Sequence, residues 1–143
     1  MVPSSPGAVV LLPIRPQYAN AIMSGAKKVE FRKRPFGRDV THVVVYASSP
    51  VKRVLGFFEV KEIDEASPRV LWQRYAAVGG ISREDYDGYF GLASSAVAIR
   101  VERVHSLRTP IPLSEVLPAG RAPQSYAYLP ASVVPRLSRR RAV

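Results

Sequence analysis

Six cationic side chains crowd one short stretch of the chain, SGAKKVEFRKRPFGR, at residues 24–38. They face a single carboxylate, that of Glu30, and they are Lys27, Lys28, Arg32, Lys33, Arg34 and Arg38. Apolar residues, among them Val29 and Phe31, alternate with them. Because ammonium and guanidinium groups form strong charge-assisted hydrogen bonds with phosphate, the stretch predicts a surface that holds a negatively charged partner.

The spacing of Lys27, Glu30 and Arg32 would allow a phosphate grip. Arg32 presents a planar fork that matches two phosphate oxygens, Lys27 adds a point charge, and Glu30 would orient Arg32. The alternative is an ion pair on a solvated strand face, which would contribute less than about 1 kcal/mol to stability. The residue types alone favour neither interpretation.

The overall charge indicates the same class of partner. The 143 residues include 21 Lys and Arg against 11 Asp and Glu, which gives a formal net charge of +10. A small domain this basic attracts polyanions, of which nucleic acid is the commonest. Four further arginines lie in the last eight residues, Arg136, Arg139, Arg140 and Arg141. Charge cannot distinguish DNA from RNA, so both partners stay open.

Several kinds of site are excluded by composition. The chain has no cysteine, which excludes disulfides, thiolate nucleophiles and thiolate metal sites. The two histidines, His42 and His105, have no partner at ligand spacing, and nothing indicates that they converge as a two-histidine ribonuclease would require. No apolar run approaches the roughly 18 residues of a membrane span, so we expect a cytoplasmic protein without a membrane partner.

Short strands and helices must position the cationic stretch. The run AVVLLPI at 8–14 predicts a strand buried on both faces, and a short helix from Pro16 should end at Gly25. Alternation from Lys28 onward predicts a half-buried strand directly after that helix.

The rest of the chain predicts three more strands and two more helices. THVVVYASS and KRVLGFFEVKEI are strands joined by a turn, Ser67 and Ser82 cap the helices, and SSAVAIRVERVHSL is the last clear strand. This order predicts an α+β fold in which short helices flank a small mixed β-barrel. We expect a flexible arm at 1–7, one domain at 8–130 and a basic, disordered tail at 131–143.

The signature Gly-x-Lys-x-x-Glu-x-Arg, here Gly25, Lys27, Glu30 and Arg32, resembles the ASCH domain of the PUA-like superfamily. VVVYASSPVKRVLGFFEV and the YFG at 89–91 are similar to the same family, so the resemblance covers roughly residues 9–129. It implies a PUA-like barrel with a cleft between the barrel and the first helix. It also implies that the cleft binds RNA or another nucleic acid.

Two activities in the family bear on this chain. One subgroup resembles amidohydrolases that remove the acetyl group from N4-acetylcytidine, and Lys27 matches its lysine. Glu30 stands where that subgroup has threonine, so the nucleophile is missing. A second set is similar to a single-strand ribonuclease, whose implicated residues correspond here to Tyr46, Lys52 and Ser125.

RNA cleavage needs a base for the 2′-hydroxyl, an acid for the leaving oxygen and a cation for the phosphorane. On the ribonuclease hypothesis Lys52 is the base, Tyr46 donates a proton and Ser125 positions a phosphate oxygen. A divalent metal, Mn²⁺ or Mg²⁺, could assist the reaction. The alternative is that Tyr46 is a rim aromatic and Lys52 faces water. Convergence of the three side chains on one phosphate position separates the hypotheses.

The function expected first is a binding module that holds single-stranded RNA, or a nucleotide in it, in a basic cleft. Gln124 could read a base edge and Tyr126 could stack on a base. The other expected binding residues surround the signature and the third strand: Lys27, Lys28, Glu30, Arg32, Lys33 and Ser48. Ribonuclease activity is the alternative function, and amidohydrolase activity is the third possibility. DNA stays open as a partner, and the sequence predicts no oligomeric state.

Overall fold

The computed structural model describes residues 7–142 of the chain. These residues form six strands and four α-helices joined by loops. The strands are β1 (Ala8–Ile14), β2 (Val29–Arg32), β3 (Val40–Ala47), β4 (Arg53–Ala66), β5 (Ala96–Ile111) and β6 (Ala127–Leu129). The helices are α1 (Pro16–Ser24), α2 (Pro68–Tyr75), α3 (Arg83–Phe90) and α4 (Val133–Ser138). A single 3-10 turn at Leu113–Glu115 follows β5.

The strands form one mixed sheet in the order β2-β5-β4-β3-β1-β6. β1 and β3 are parallel neighbours, and the other neighbouring strands are antiparallel. The predicted α+β class is confirmed. The hydrogen-bonded sheet is open, with β2 and β6 at its edges, and closure into a barrel is therefore not confirmed.

β1 is buried on both faces of the sheet, as its unbroken apolar run predicts. Val10 and Leu12 face the side that α1 covers, where Ala19 and Ile22 pack on them. Val9 and Leu11 face the opposite side, because successive strand residues point in opposite directions. α1 begins at Pro16 and ends at Gly25, whose φ of 87° is a left-handed conformation that glycine adopts without strain.

Apolar side chains form one cluster on each face of β1. A third apolar cluster joins α2 and α3 to β2 and the first half of β5. Val29 and Phe31 of β2 pack there against Leu71, Tyr86 and Phe90. Ser67 and Ser82 cap the two helices, as predicted, and accept hydrogen bonds from the amides of Val70 and Asp85 at 3.2 and 3.0 Å. The cluster fixes α3 opposite β2.

The carboxyl-terminal segment differs from the disordered tail that the sequence predicts. Val133 and Leu137, one helical turn apart in α4, are buried in the cluster on the face of β1 opposite α1. The Ala142 amide then donates to the Ser106 carbonyl at 2.7 Å, and the Arg108 amide donates to the Arg140 carbonyl at 2.9 Å. The two buried side chains and these backbone hydrogen bonds hold the segment against the sheet.

Residues 1–6 of the expected flexible arm, and Val143, lie outside the described residues. In residues 7–142, no helix has the length and apolar character that crossing a membrane requires.

Candidate nucleic-acid site

A cavity of about 550 Å³ opens where β1 ends, between α1, β2 and α3. Its walls carry three cations and three carboxylates, Arg15, Lys27, Arg32, Glu30, Glu84 and Asp85. Aromatic rings complete the walls, namely Tyr18, Phe31, Tyr86 and Tyr89. The volume is in the range of pockets that bind small ligands, roughly 300 to 1,000 Å³.

Lys27 is a wall of this cavity although it is only 2% exposed. Its Nζ donates a hydrogen bond to the Gly79 carbonyl and lies 3.7 Å from Glu30 Oε1. Burial lowers the pKa of Lys27, and the nearby Glu30 carboxylate opposes that shift. The same Nζ lies 5.4 Å from the ring centre of Tyr18 and 5.1 Å from that of Phe31, which adds cation–π attraction.

Glu30 links Lys27 to Arg32. Arg32 Nη2 donates to Glu30 Oε2 at 3.0 Å and to the carbonyl of Pro13 at 2.8 Å. Because the carboxylate is buried, this is not the solvated ion pair of the alternative interpretation. Arg32 Nε is buried and has no hydrogen-bond partner among residues 7–142.

Tyr18 and Asp85 form a second polar pair in the cavity that the sequence does not predict. The Tyr18 hydroxyl donates to Asp85 Oδ2 at 2.9 Å. Burial and this carboxylate both raise the pKa of Tyr18. The only sequence signal near them is the Ser82-x-x-Asp85 cap, which assigns Asp85 to the start of α3 and says nothing of Tyr18, 67 residues away.

The rim of the cavity is cationic and aromatic. Tyr89 is 39% exposed, and Lys33 Nζ lies 4.9 Å from its ring centre. Lys28 is exposed but does not line the cavity, and Ser48 is half-buried with its amide donating to the Ile14 carbonyl at 2.9 Å. Among the predicted binding residues, the structure therefore brings Lys27, Glu30 and Arg32 into the cavity and Lys33 to its rim.

The three predicted catalytic residues do not line the cavity. Tyr46 is 5% exposed and packs in the apolar cluster with Val54 and Leu129, whereas Lys52 and Ser125 are exposed. Tyr46 pairs with Pro13 across β1 and β3. β6 begins at Ala127, which pairs with Leu11 near the end of β1, and Ser125 lies two residues before it.

Tyr46, Lys52 and Ser125 thus share one end of the sheet. Lys52 lies in the β3–β4 connection, with a φ of 53°, two residues before Val54, the β4 partner of Tyr46. Pro13 connects this set to the cavity, since it lines the cavity and its carbonyl accepts a hydrogen bond from Arg32.

Gln124 and Tyr126 lie away from the cavity walls. Gln124 is exposed, and Tyr126 packs edge-on against Phe36 with ring centres 4.8 Å apart.

The two histidines approach each other, which the sequence did not indicate. His105 stacks on Phe57 at 4.5 Å, and His42 lies 6.2 Å from the same ring. His105 Nε2 contacts Glu59 Oε2 at 2.7 Å and its Nδ1 contacts Arg141 Nη1 at 3.1 Å, so both ring nitrogens are engaged. Burial lowers the pKa of His42. Neither histidine reaches the cavity.

No group of three or more His, Asp or Glu side chains in residues 7–142 is placed to hold a metal ion.

Known proteins resemble this chain along most of its length. The ASCH domain family model matches residues 12–105. An ASCH domain-containing ribonuclease of Zymomonas mobilis is 35% identical over 132 residues, which cover 90% of this chain and 87% of the relative.

Solved structures agree with that match. The crystal structure of ASCH from Zymomonas mobilis superposes with a TM-score of 0.83 at 30% identity, covering 94% of this chain and 96% of that one. The N-terminal domain of Staphylothermus marinus McrB has a TM-score of 0.55 at 14% identity, covering 92% and 93%, and shares the fold alone.

Proposed function

The chain belongs to the ASCH domain family, and from that premise we propose that it binds single-stranded RNA and holds one nucleotide in the cavity between α1, β2 and α3. The observation that carries the proposal is the buried Lys27–Glu30–Arg32 network in a cavity with aromatic walls. The name of the Zymomonas relative supports RNA as the partner.

The charges in the cavity favour a base over a phosphate. Three carboxylates balance its three cations, so a neutral polar ring is better suited to the interior than a charged group. Aromatic side chains such as Tyr18 and Tyr89 offer stacking surfaces for that ring. The exposed cations of the rim, beginning at Lys33, are free to contact the phosphates on either side.

Arg32 and Glu30 give the cavity its polar specificity. Their ion pair fixes both side chains, so donor and acceptor groups are oriented before a ligand arrives. Arg32 Nε adds a donor that has no partner within residues 7–142.

Binding to labelled single-stranded RNA and DNA of the same sequence tests the proposal. Tyr89→Ala and Lys33→Ala alter the rim without opening the buried network, and Arg103→Ala removes an exposed cation of β5 as the control. We expect each rim variant to weaken RNA binding by about fivefold or more, from a lost stacking or phosphate contact, and the control to change it less than twofold. Rim variants that bind as the control does would refute the cavity as the site.

The second candidate function is ribonuclease activity, favoured by the name of the Zymomonas relative and by the shared position of Tyr46, Lys52 and Ser125 at one end of the sheet. In this reaction the 2′-oxygen loses its proton, attacks phosphorus and displaces the 5′-oxygen, which takes up a proton. On this hypothesis Lys52 accepts the proton of the 2′-hydroxyl, the Tyr46 hydroxyl donates a proton to the leaving 5′-oxygen, and Ser125 positions a phosphate oxygen.

The nuclease proposal predicts that Tyr46→Phe, Lys52→Ala and Ser125→Ala each abolish cleavage of single-stranded RNA. Each variant should keep most of the affinity of the wild type for that RNA. The reaction is followed with Mn²⁺, with Mg²⁺ and with a chelator, and intact RNA under all three conditions would leave binding as the sole function. The comparison of RNA with DNA decides whether DNA is also a partner. Cell fractionation tests the cytoplasmic location that we propose.

A further inference from the structure

A second group of aromatic and cationic side chains lies outside the cavity. We call it the aromatic cluster, and it consists of Phe36, Arg38, Tyr126 and Tyr128. Ring centres are 4.8 Å apart for Phe36 and Tyr126 and 5.3 Å apart for Tyr126 and Tyr128, both edge-on. Arg38 Cζ lies 4.3 Å from the ring centre of Tyr128. Arg38 is exposed and the three rings are half-buried, so the cluster reaches the surface.

One short loop connects the cavity to the aromatic cluster. Arg32, the last residue of β2, lines the cavity, and Phe36 lies only four positions later. Four residues of extended chain span at most about 14 Å. A stacked nucleic-acid strand advances about 3.4 Å per nucleotide, so at most about four nucleotides cover that distance.

The loop and the cavity differ in charge. Residues 33–39 carry three exposed cations, Lys33, Arg34 and Arg38, against the single carboxylate of Asp39. The cavity has equal numbers of both signs. Phosphates are therefore attracted to the loop, whereas aromatic surface is available at both of its ends, at Tyr89 and at the cluster.

We propose that the aromatic cluster is a second RNA-binding subsite, in which a base packs on Phe36 and Tyr126 and Arg38 contacts the neighbouring phosphate. Loop 33–39 carries the intervening phosphates from the cavity. The inference rests on the proposed function, and it adds that the ligand is an RNA strand of several nucleotides, about four if the loop is fully extended, rather than a single nucleotide.

Fluorescence anisotropy with a labelled octaribonucleotide tests the second subsite. We expect Arg38→Gln and Tyr126→Ala each to weaken binding about tenfold, as lost stacking or phosphate contacts do. Arg38→Gln should also make the dependence on salt shallower, by about 0.7 in the slope of log K against log salt. Arg103→Ala, an exposed arginine on β5, should change affinity less than twofold.

Thermal unfolding of each variant separates binding from folding, and Tyr126→Leu replaces Tyr126→Ala if the latter is destabilised. Tyr89→Ala, at the cavity rim, tells the two proposals apart. If Tyr89→Ala weakens binding and the cluster variants match Arg103→Ala, the second subsite is refuted and the cavity stands. If only the cluster variants weaken binding, the cluster stands and the cavity proposal fails. A wild-type protein that does not retain the octaribonucleotide overturns both.

Discussion

At the scale of single residues, Lys27 is the clearest case of a charge held against its desolvation cost. Its ammonium has a carbonyl acceptor, a carboxylate at 3.7 Å and two aromatic rings near it. These contacts offset burial only in part, because its pKa is still lowered. The unfolded chain therefore binds this proton more tightly than the folded one does.

Lys27 should thus contribute a stability that grows with pH. Between the lowered folded pKa and about 10.4, the ordinary lysine value, the unfolded state holds more protons, so the free energy of unfolding rises with pH. We predict that wild type becomes more stable relative to Lys27→Met as pH rises toward 10. The free energy of unfolding of wild type minus that of the variant should therefore increase. Urea denaturation at several pH values measures it, with Lys33→Met as the exposed control. A constant difference would contradict the prediction.

Removal of two buried tyrosine hydroxyls should have different effects on the free energy of unfolding. The Tyr86 hydroxyl donates to the Pro68 carbonyl at 2.6 Å, whereas the Tyr128 hydroxyl is buried near Tyr126 and Gly37 without a hydrogen bond of ordinary length in residues 7–142. Tyr86→Phe should cost about 1 kcal/mol, since it leaves an acceptor unpaired, and Tyr128→Phe should be neutral or stabilising. Equal losses in urea denaturation would show that Tyr128 does have a partner.

At the scale of elements, the connection between α2 and α3 is shaped around Lys27. Gly80 has a φ of 60°, and a Cβ there would lie 2.6 Å from Lys27 Cβ. Gly88, inside α3, has nothing within 4 Å of the same position. We predict that Gly80→Ala destabilises the fold by at least about 1 kcal/mol through strain and displacement of Lys27, while Gly88→Ala stabilises it by about 0.5 to 1 kcal/mol. Opposite shifts in the melting temperature would check this, and a harmless Gly80→Ala would refute the tight packing.

α4 supplies a second test at this scale. Leu137 is 1% exposed, so Leu137→Ala should lower the free energy of unfolding by about 2 to 4 kcal/mol. Arg139→Ala, two residues later and exposed, should change it by less than about 0.5 kcal/mol. A negligible effect of Leu137→Ala in urea denaturation would instead support the disordered tail that the sequence predicts.

At the scale of the whole molecule, local signals predicted local structure. Pro16, Gly25, Ser67 and Ser82 marked helix ends correctly, because capping involves residues only a few positions apart. The order of the strands and the Tyr18–Asp85 pair depend on contacts between distant parts of the chain, which periodicity does not encode.

The same difference between local and long-range contacts applies to the candidate site. Lys27, Glu30 and Arg32 lie within one turn and one strand, and their proximity could be predicted. Tyr46, Lys52 and Ser125 come from three places in the chain. Only the order and direction of the strands show that the three residues lie toward one end of the sheet, outside the cavity walls.

The net charge of +10 leaves open whether affinity for RNA arises from the whole surface or from a defined path. If loop 33–39 carries the phosphates, alanine at Lys33, Arg34 and Arg38 together should reduce the slope of log K against log salt by about 2, at about 0.7 per contact on a single strand. Alanine at three exposed arginines elsewhere, Arg69, Arg103 and Arg108, removes the same charge and should leave that slope nearly unchanged. Equal reductions in the two triple variants would mean that diffuse attraction, and not the loop, binds the strand.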